Sequence, residues 1–189
     1  MNGLVDHGII EFLGATYGVP FAQRVVADVA HLEGQSADDV RDLGRKVLAE
    51  ASGRLVKAPS EMFEDLGGWL TRIEAIRRLL RFSGRDFPDF LLSLEELPDR
   101  AHLVLPRLGL PRLVVARDGR GILVTLEPTD PDWQAVLIGL IRGMADDHGA
   151  LCLISAEGAY IRVDIWDERF TEGRGFALGA PMPDQAPLP

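Results

Sequence analysis

The chain has 189 residues, 47% of them hydrophobic, which suits one fairly large domain with a full core, alone or with a short appendage. Its single cysteine, Cys152, excludes an internal disulfide and any multi-cysteine zinc or iron–sulfur site. The net charge is −9, and the basic residues are scattered among acidic ones, which argues against nucleic acid or an anionic membrane surface as the main partner.

The opening "MNGLVDHGII" lacks the basic region and small-residue cleavage pattern of a signal peptide. No apolar run in the chain is long enough to span a bilayer, so the expected location is the cytoplasm. "LVDHGIIEFLGATYG" predicts a helix with Val5, Ile9, Phe12 and Leu13 on one face, stopping at Gly18. "PFAQRVVADVAHL" predicts a second, opened by Pro20, with Phe21, Val25, Val29 and Leu32 at helical spacing. In "SADDVRDLGRKVLAEASG", Ser36 is the expected N-cap, with Asp39 three residues on. "SEMFEDLGGWLTRIEAIRRLL" reads as one longer helix carrying Phe63, Leu66, Leu70 and Ile73, with Gly67-Gly68 marking close packing or a bend. Phe87, Phe90, Leu91, Leu94 and Leu97 then form one stripe, and Pro98 is expected to end that helix.

After Pro111 the period changes from helical to alternating. "PRLVVAR" and "GILVTLEP" predict two strands joined at "DGRG". "TDPDWQAVLIGLIRGMADDHG" predicts a helix with Asp130 as N-cap and Pro131 at its first position. "ALCLISAEGAYIRVDIWDERF" predicts a second hairpin turning at Glu157-Gly158. The Gly- and Pro-rich residues 171–189 are expected to be a disordered tail behind a domain over residues 1–170. The expected class is α+β: a helical N-terminal part followed by a four-stranded antiparallel sheet with one late helix.

Motifs for catalysis are scarce. The sequence holds no Gly-rich phosphate loop, no HExxH and no nucleophile elbow, and its four histidines do not form a metal-ligand spacing. Asp146, Asp147 and His148 are best explained as a solvated helix end, with His148 complementing the C-terminal dipole before Gly149. Cys152, in an apolar strand, is expected to be a small hydrophobe on a face the alternation leaves open.

Four stretches carry a resemblance. "MNGLVDHGIIEFLGATYG", "RRLLRFSGRDFPDFLLSLEELPD", "LPRLGLPRL" and "DWQAVLIGLIRGMADDHG", in this order and spacing, resemble the H-NOX family of haem-dependent nitric oxide and oxygen sensor domains, over roughly residues 1 to 170. The resemblance implies the same helices-then-sheet fold that the periodicity predicts. It also implies a haem held by a proximal histidine, in a pattern like FLxNLxxLH, and by a Tyr-x-Ser-x-Arg motif that binds the propionates. Here the matching run is "FLLSLEELP", which puts Pro98 at the ligand position. Spacing anchored on "LIGLIRG" puts Leu126, Pro128 and Asp130 at the three motif positions. The iron ligand and the propionate donors are therefore absent together, so no haem is expected.

The pocket implied by the resemblance is lined by Val5, Ile9, Pro98, Pro111, Leu126, Leu140, Ile141 and Met144, all of which also suit an ordinary core. His102, four residues past Pro98, is the alternative haem ligand, provided the helix continues; "AHLVLP" reads instead as a segment leaving it. The expected function is a haem-free regulatory module, not an enzyme, that binds another apolar ligand or a signalling protein. The resemblance implies a histidine kinase, a diguanylate cyclase or a chemotaxis protein as the kind of partner. The alternative is a haem gas sensor ligated through His102.

Overall fold

The computed structural model describes residues 3–33, 43–81, 85–104, 108–119 and 121–167. The expected cap at Ser36 and Asp39 and the tail over 171–189 lie outside the described residues, as do the side chains of Val5, His7 and Leu32.

Four helices make an N-terminal lobe: α1 (Gly3–Tyr17), α2 (Val19–Glu33), α3 (Leu43–Leu55) and α4 (Pro59–Leu70). Gly18, at a φ of +96°, supplies the left-handed turn between α1 and α2 that a side chain would resist. The helical stripes bury Ile9, Phe12 and Leu13 against Val25 and Val29 of α2, Val47, Leu48 and Ala51 of α3, and Met62 of α4. Phe12 meets the Tyr17 ring edge-on at 6.0 Å and the Trp69 ring at 5.8 Å, an aromatic cluster at one end of this core.

The rest of the described chain makes a second lobe with its own core. It comprises α5 (Glu74–Arg81), α6 (Phe87–Ser93), a 3₁₀ turn (Leu94–Glu96), α7 (Leu97–Val104), β1 (Arg112–Asp118), β2 (Gly121–Glu127), α8 (Pro131–His148), β3 (Leu151–Glu157) and β4 (Tyr160–Asp167). The strands form one antiparallel sheet in the order β1-β2-β4-β3. Its register pairs Leu113 with Leu126, Val124 with Ile161, and Ile154 with Val163, so one face of the pleat is apolar. That face packs with the α6 stripe and with Leu137, Ile141 and Met144 of α8. Gln134 of α8 ties the helix to the second hairpin, donating to the carbonyls of Gly158 at 3.1 Å and Tyr160 at 3.3 Å.

The lobes meet where α4 crosses α8. A Cβ on Gly67 would stand 2.0 Å from the Val136 carbonyl oxygen, and one on Gly139 would stand 1.9 Å from that of Glu64. The two backbones therefore touch, and only glycine allows it. Farther along, Thr71 packs on Gly143, and Arg142 pairs with Glu64 at 3.0 Å.

Two expectations about helix ends are corrected. The helix expected to run unbroken from Ser60 to Leu80 is two: α4 ends at Leu70 and α5 begins at Glu74. Gly67-Gly68 stays helical because close packing on α8 holds it, while the break falls at Thr71–Ile73, whose hydroxyl at Thr71 donates to the Gly68 carbonyl at 2.8 Å. Pro98 does not end a helix but opens α7 in its first turn, where a missing N–H costs no helical bond. The Leu94 carbonyl, which would have bonded an N–H at position 98, instead accepts the Leu97 N–H through the 3₁₀ turn, and Arg100 reaches back to the Ser93 carbonyl at 3.0 Å. Ala101 to Val104 accordingly continue α7 and do not leave it.

Candidate functional site

Asp130 has two jobs, both visible in its geometry. It stands in extended backbone before Pro131, and its side chain accepts the N–H groups of Asp132 at 3.0 Å and Trp133 at 3.2 Å, the N-cap expected from the sequence. The same carboxylate accepts Arg45 Nη2 at 3.1 and 2.8 Å, while Arg45 Nε meets Asp132 at 2.9 Å. Arg45 belongs to α3, so this pair joins the N-terminal lobe to the start of α8. Sequence reasoning missed Arg45, since nothing local links a residue to one 85 positions away.

The two other positions of the three-residue motif are equally plain. Leu126 points into the sheet's apolar face and is 1% exposed, and Pro128 lies exposed just after β2. Of the remaining pocket residues, Leu140, Ile141 and Met144 are buried in the core of the second lobe, and Ile9 in that of the first. Pro98 and Pro111 are half-buried, and only the backbone of Val5 is described. The structure thus brings Leu126, Leu140, Ile141 and Met144 into one cluster and places Ile9 in the other. His102 does lie one turn past Pro98 in an unbroken α7, but its side chain is exposed.

A haem held in the way the resemblance implies does not fit these residues. Pro98 offers no donor atom, Leu126 and Pro128 have none in their side chains, and the Asp130 carboxylate already serves a helix N-terminus and a guanidinium. An anionic propionate brought to Asp130 would face repulsion and would have to displace Arg45. Among the described residues no group of three His, Cys, Asp or Glu side chains could hold a metal ion.

Three polar features remain. The end of α8 is less solvated than expected: Asp146 is exposed, but Asp147 pairs with Arg81 at 2.6 Å and Arg77 at 3.6 Å. His148 lies half-buried against the rings of Phe87 at 6.1 Å and Phe90 at 6.0 Å, its Nε2 buried without a hydrogen-bond partner among the described residues. Burial lowers its pKa, opposed by nearby Asp147 and Asp86 and assisted by Arg81. The missing signal was the stripe of α6, separated from α8 by four elements in the chain, which supplies the apolar wall.

Cys152 is half-buried against the second core, and that burial pushes its thiol up, consistent with an inert small hydrophobe. A polar groove of about 670 Å³ runs beside the α4–α8 crossing, between Tyr17, Lys57, Trp69 and Arg72. Tyr17 donates to Asp65 at 2.6 Å, and Lys57 donates to both Asp65 and Tyr17. Burial raises Asp65, but the hydrogen bonds from Lys57 and Tyr17 outweigh it and hold the carboxyl below its ordinary value. Burial, with Asp65 beside it, raises Tyr17, which makes the phenol a structural donor and not a base.

No protein-family model and no curated protein matches the sequence. Comparison with solved structures gives a different result. An H-NOX protein from S. oneidensis, a triple mutant in the Fe(II) ligation state, superposes with a TM-score of 0.72 at 13% identity, over 88% of this chain and 97% of that one. The S. oneidensis H-NOX in its Fe(II)NO state gives 0.71 at 12% identity, over 88% and 100%. A point mutant of T. tengcongensis H-NOX gives 0.64 at 17% identity, over 88% and 98%. Helical lobe, four-stranded antiparallel sheet and late helix correspond throughout: the chain has the H-NOX fold.

Proposed function

We propose that the protein is a regulatory module of the cytoplasm built on the H-NOX fold, working without histidine-ligated haem and binding an uncharged apolar ligand between its lobes. What carries this reading is the joint replacement of the four donors: a proline, a buried leucine, a second proline, and an aspartate turned to capping and to Arg45. Charge-assisted hydrogen bonds contribute roughly 1.5–3 kcal/mol each, so losing several of them and the iron bond lowers haem affinity by orders of magnitude. The apolar residues at the inherited pocket positions are retained, which favours an apolar occupant over a charged one.

The solved relatives are gas-binding proteins by their Fe(II)NO and oxygen-complex states, and a signalling role comes to this chain only through that likeness. On that basis the output is a change in contact with a histidine kinase, a diguanylate cyclase or a chemotaxis protein, and no catalysis is assigned to the chain itself. One observation favours the alternative of haem ligation by His102: α7 is continuous, so that imidazole sits on the turn after Pro98. Its exposure counts against it.

Native mass spectrometry of the full chain, freshly isolated from cells supplied with haem, separates these readings. The expected spectrum shows apoprotein or a neutral small-molecule adduct. A stoichiometric haem adduct would contradict the proposal, and its loss in His102→Ala would establish the alternative.

A further inference from the structure

The pocket residues divide between two cores, Ile9 in the first and Leu126, Leu140, Ile141 and Met144 in the second. A ligand that touches both sets must sit in the seam between the lobes. In this structure none of these five is more than 6% exposed, each packed in its own lobe's core, so a ligand reaches both sets only if they move. Entry requires the lobes to part, and the backbone contact of Gly67 and Gly139 leaves rotation about the α4–α8 crossing as the small movement available.

At the start of α8, among the described residues, Arg45 opposes that movement. Arg45 projects from α3, whose Val47, Leu48 and Ala51 are fixed in the first core, so a displacement of Arg45 is a displacement of the lobe. Its guanidinium spans two carboxylates, that of the N-cap Asp130 and that of Asp132 in the first turn of α8. A planar fork between two acids is a directional contact that a lysine could not reproduce. It is also half exposed, with 49% of the Arg45 side chain accessible, so dissolved salt competes with it. A contact that is specific in geometry and weak in energy can be released without unfolding either core.

We infer that Arg45, with Asp130 and Asp132, is a charge latch that holds the lobes closed over the seam and sets the rate at which an apolar ligand enters. This rests on the ligand reading above, and regulates that same site. It also gives the acid at position 130 a use: the carboxylate that would repel a propionate holds the neighbouring lobe.

The test uses the full chain and two variants, Arg45→Gln and Asp130→Asn; the second keeps the helix cap, because asparagine caps as well as aspartate. Amide exchange along α3 is measured without ligand, and uptake of the neutral dye Nile red is followed by stopped flow. Both variants are expected to exchange α3 amides and take up dye roughly two- to tenfold faster than the parent. The parent is expected to approach the variants as salt rises from about 0.05 M to about 0.5 M. Unchanged exchange and uptake in both variants, with dye bound by all three proteins, overturns the latch and leaves the proposed ligand class standing. Faster α3 exchange with no dye bound by any of them upholds the latch and overturns the ligand class.

Discussion

Val56 is a β-branched residue at a φ of +54°, immediately after α3, and 93% of its side chain is exposed. The two bonds that close the helix, Val56 N–H to the Gly53 carbonyl and Lys57 N–H to that of Ser52, hold it in a left-handed cap that ordinarily takes glycine. Left-handed geometry costs a residue with a Cβ about 1–2 kcal/mol, and this side chain has almost no packing to lose. Val56→Gly is therefore expected to stabilise the protein by about 1 kcal/mol, seen as a higher urea midpoint with an unchanged slope. A lower midpoint would mean that the valine packs on something in solution. No pattern around "GRLVKAP" discloses this, because the conformation is set by the cap and the residue does not advertise it. Asp130 is the opposite case: the "TDPDW" stretch announces its capping role, whereas its bond to Arg45 arises only when α3 is folded beside α8.

Among the elements, α4 and α8 depend on each other most closely. Gly139→Ala would put a Cβ 1.9 Å from a backbone oxygen, which cannot rotate away as a side chain would, so α4 must shift. A loss of about 3 kcal/mol or more is expected, against a neutral or slightly favourable effect for Gly53→Ala, which meets nothing within 4 Å. Equal effects of the two substitutions on thermal unfolding would show that the crossing is looser than described. At the far end of α8, His148 couples the helix to α6. Its folded pKa lies below the ordinary 6.5 chiefly through burial, so the unfolded chain binds the proton more readily. Its contribution is complete above pH 6.5 and is lost as the pH falls from there through the lowered folded value. Urea midpoints measured from pH 8 to pH 5 should decline in the parent and decline less in His148→Leu. Parallel profiles would remove His148 from the acid sensitivity. Periodicity found α8 and its caps at both ends, but it joined α4 to α5, since the break at Thr71–Ile73 contains neither proline nor glycine. Proline at position 98 misled in the reverse direction, because a first-turn proline and a terminating proline look alike until the preceding hydrogen bonds are seen.

For the molecule as a whole, alternation and helical spacing were enough for the class, the four strands and the late helix, and the order of four short stretches was enough for the fold. Division into two cores was not legible, because each apolar stripe shows only that it is buried and not which partner buries it. The position of the seam depends on that division, as does the assignment of Arg45. The four positions that the resemblance matches to haem binding each have a structural use here: Pro98 lies in the first turn of α7, Leu126 fills the sheet core, Pro128 follows the strand, and Asp130 caps α8 and holds Arg45. Restoring the ligand alone should therefore not restore the cofactor. Haem titration followed in the Soret region, with the parent and Pro98→His side by side, tests this most directly. Both proteins are expected to leave the spectrum that of free haem, whereas a saturable, ligand-shifted Soret band in Pro98→His would contradict it.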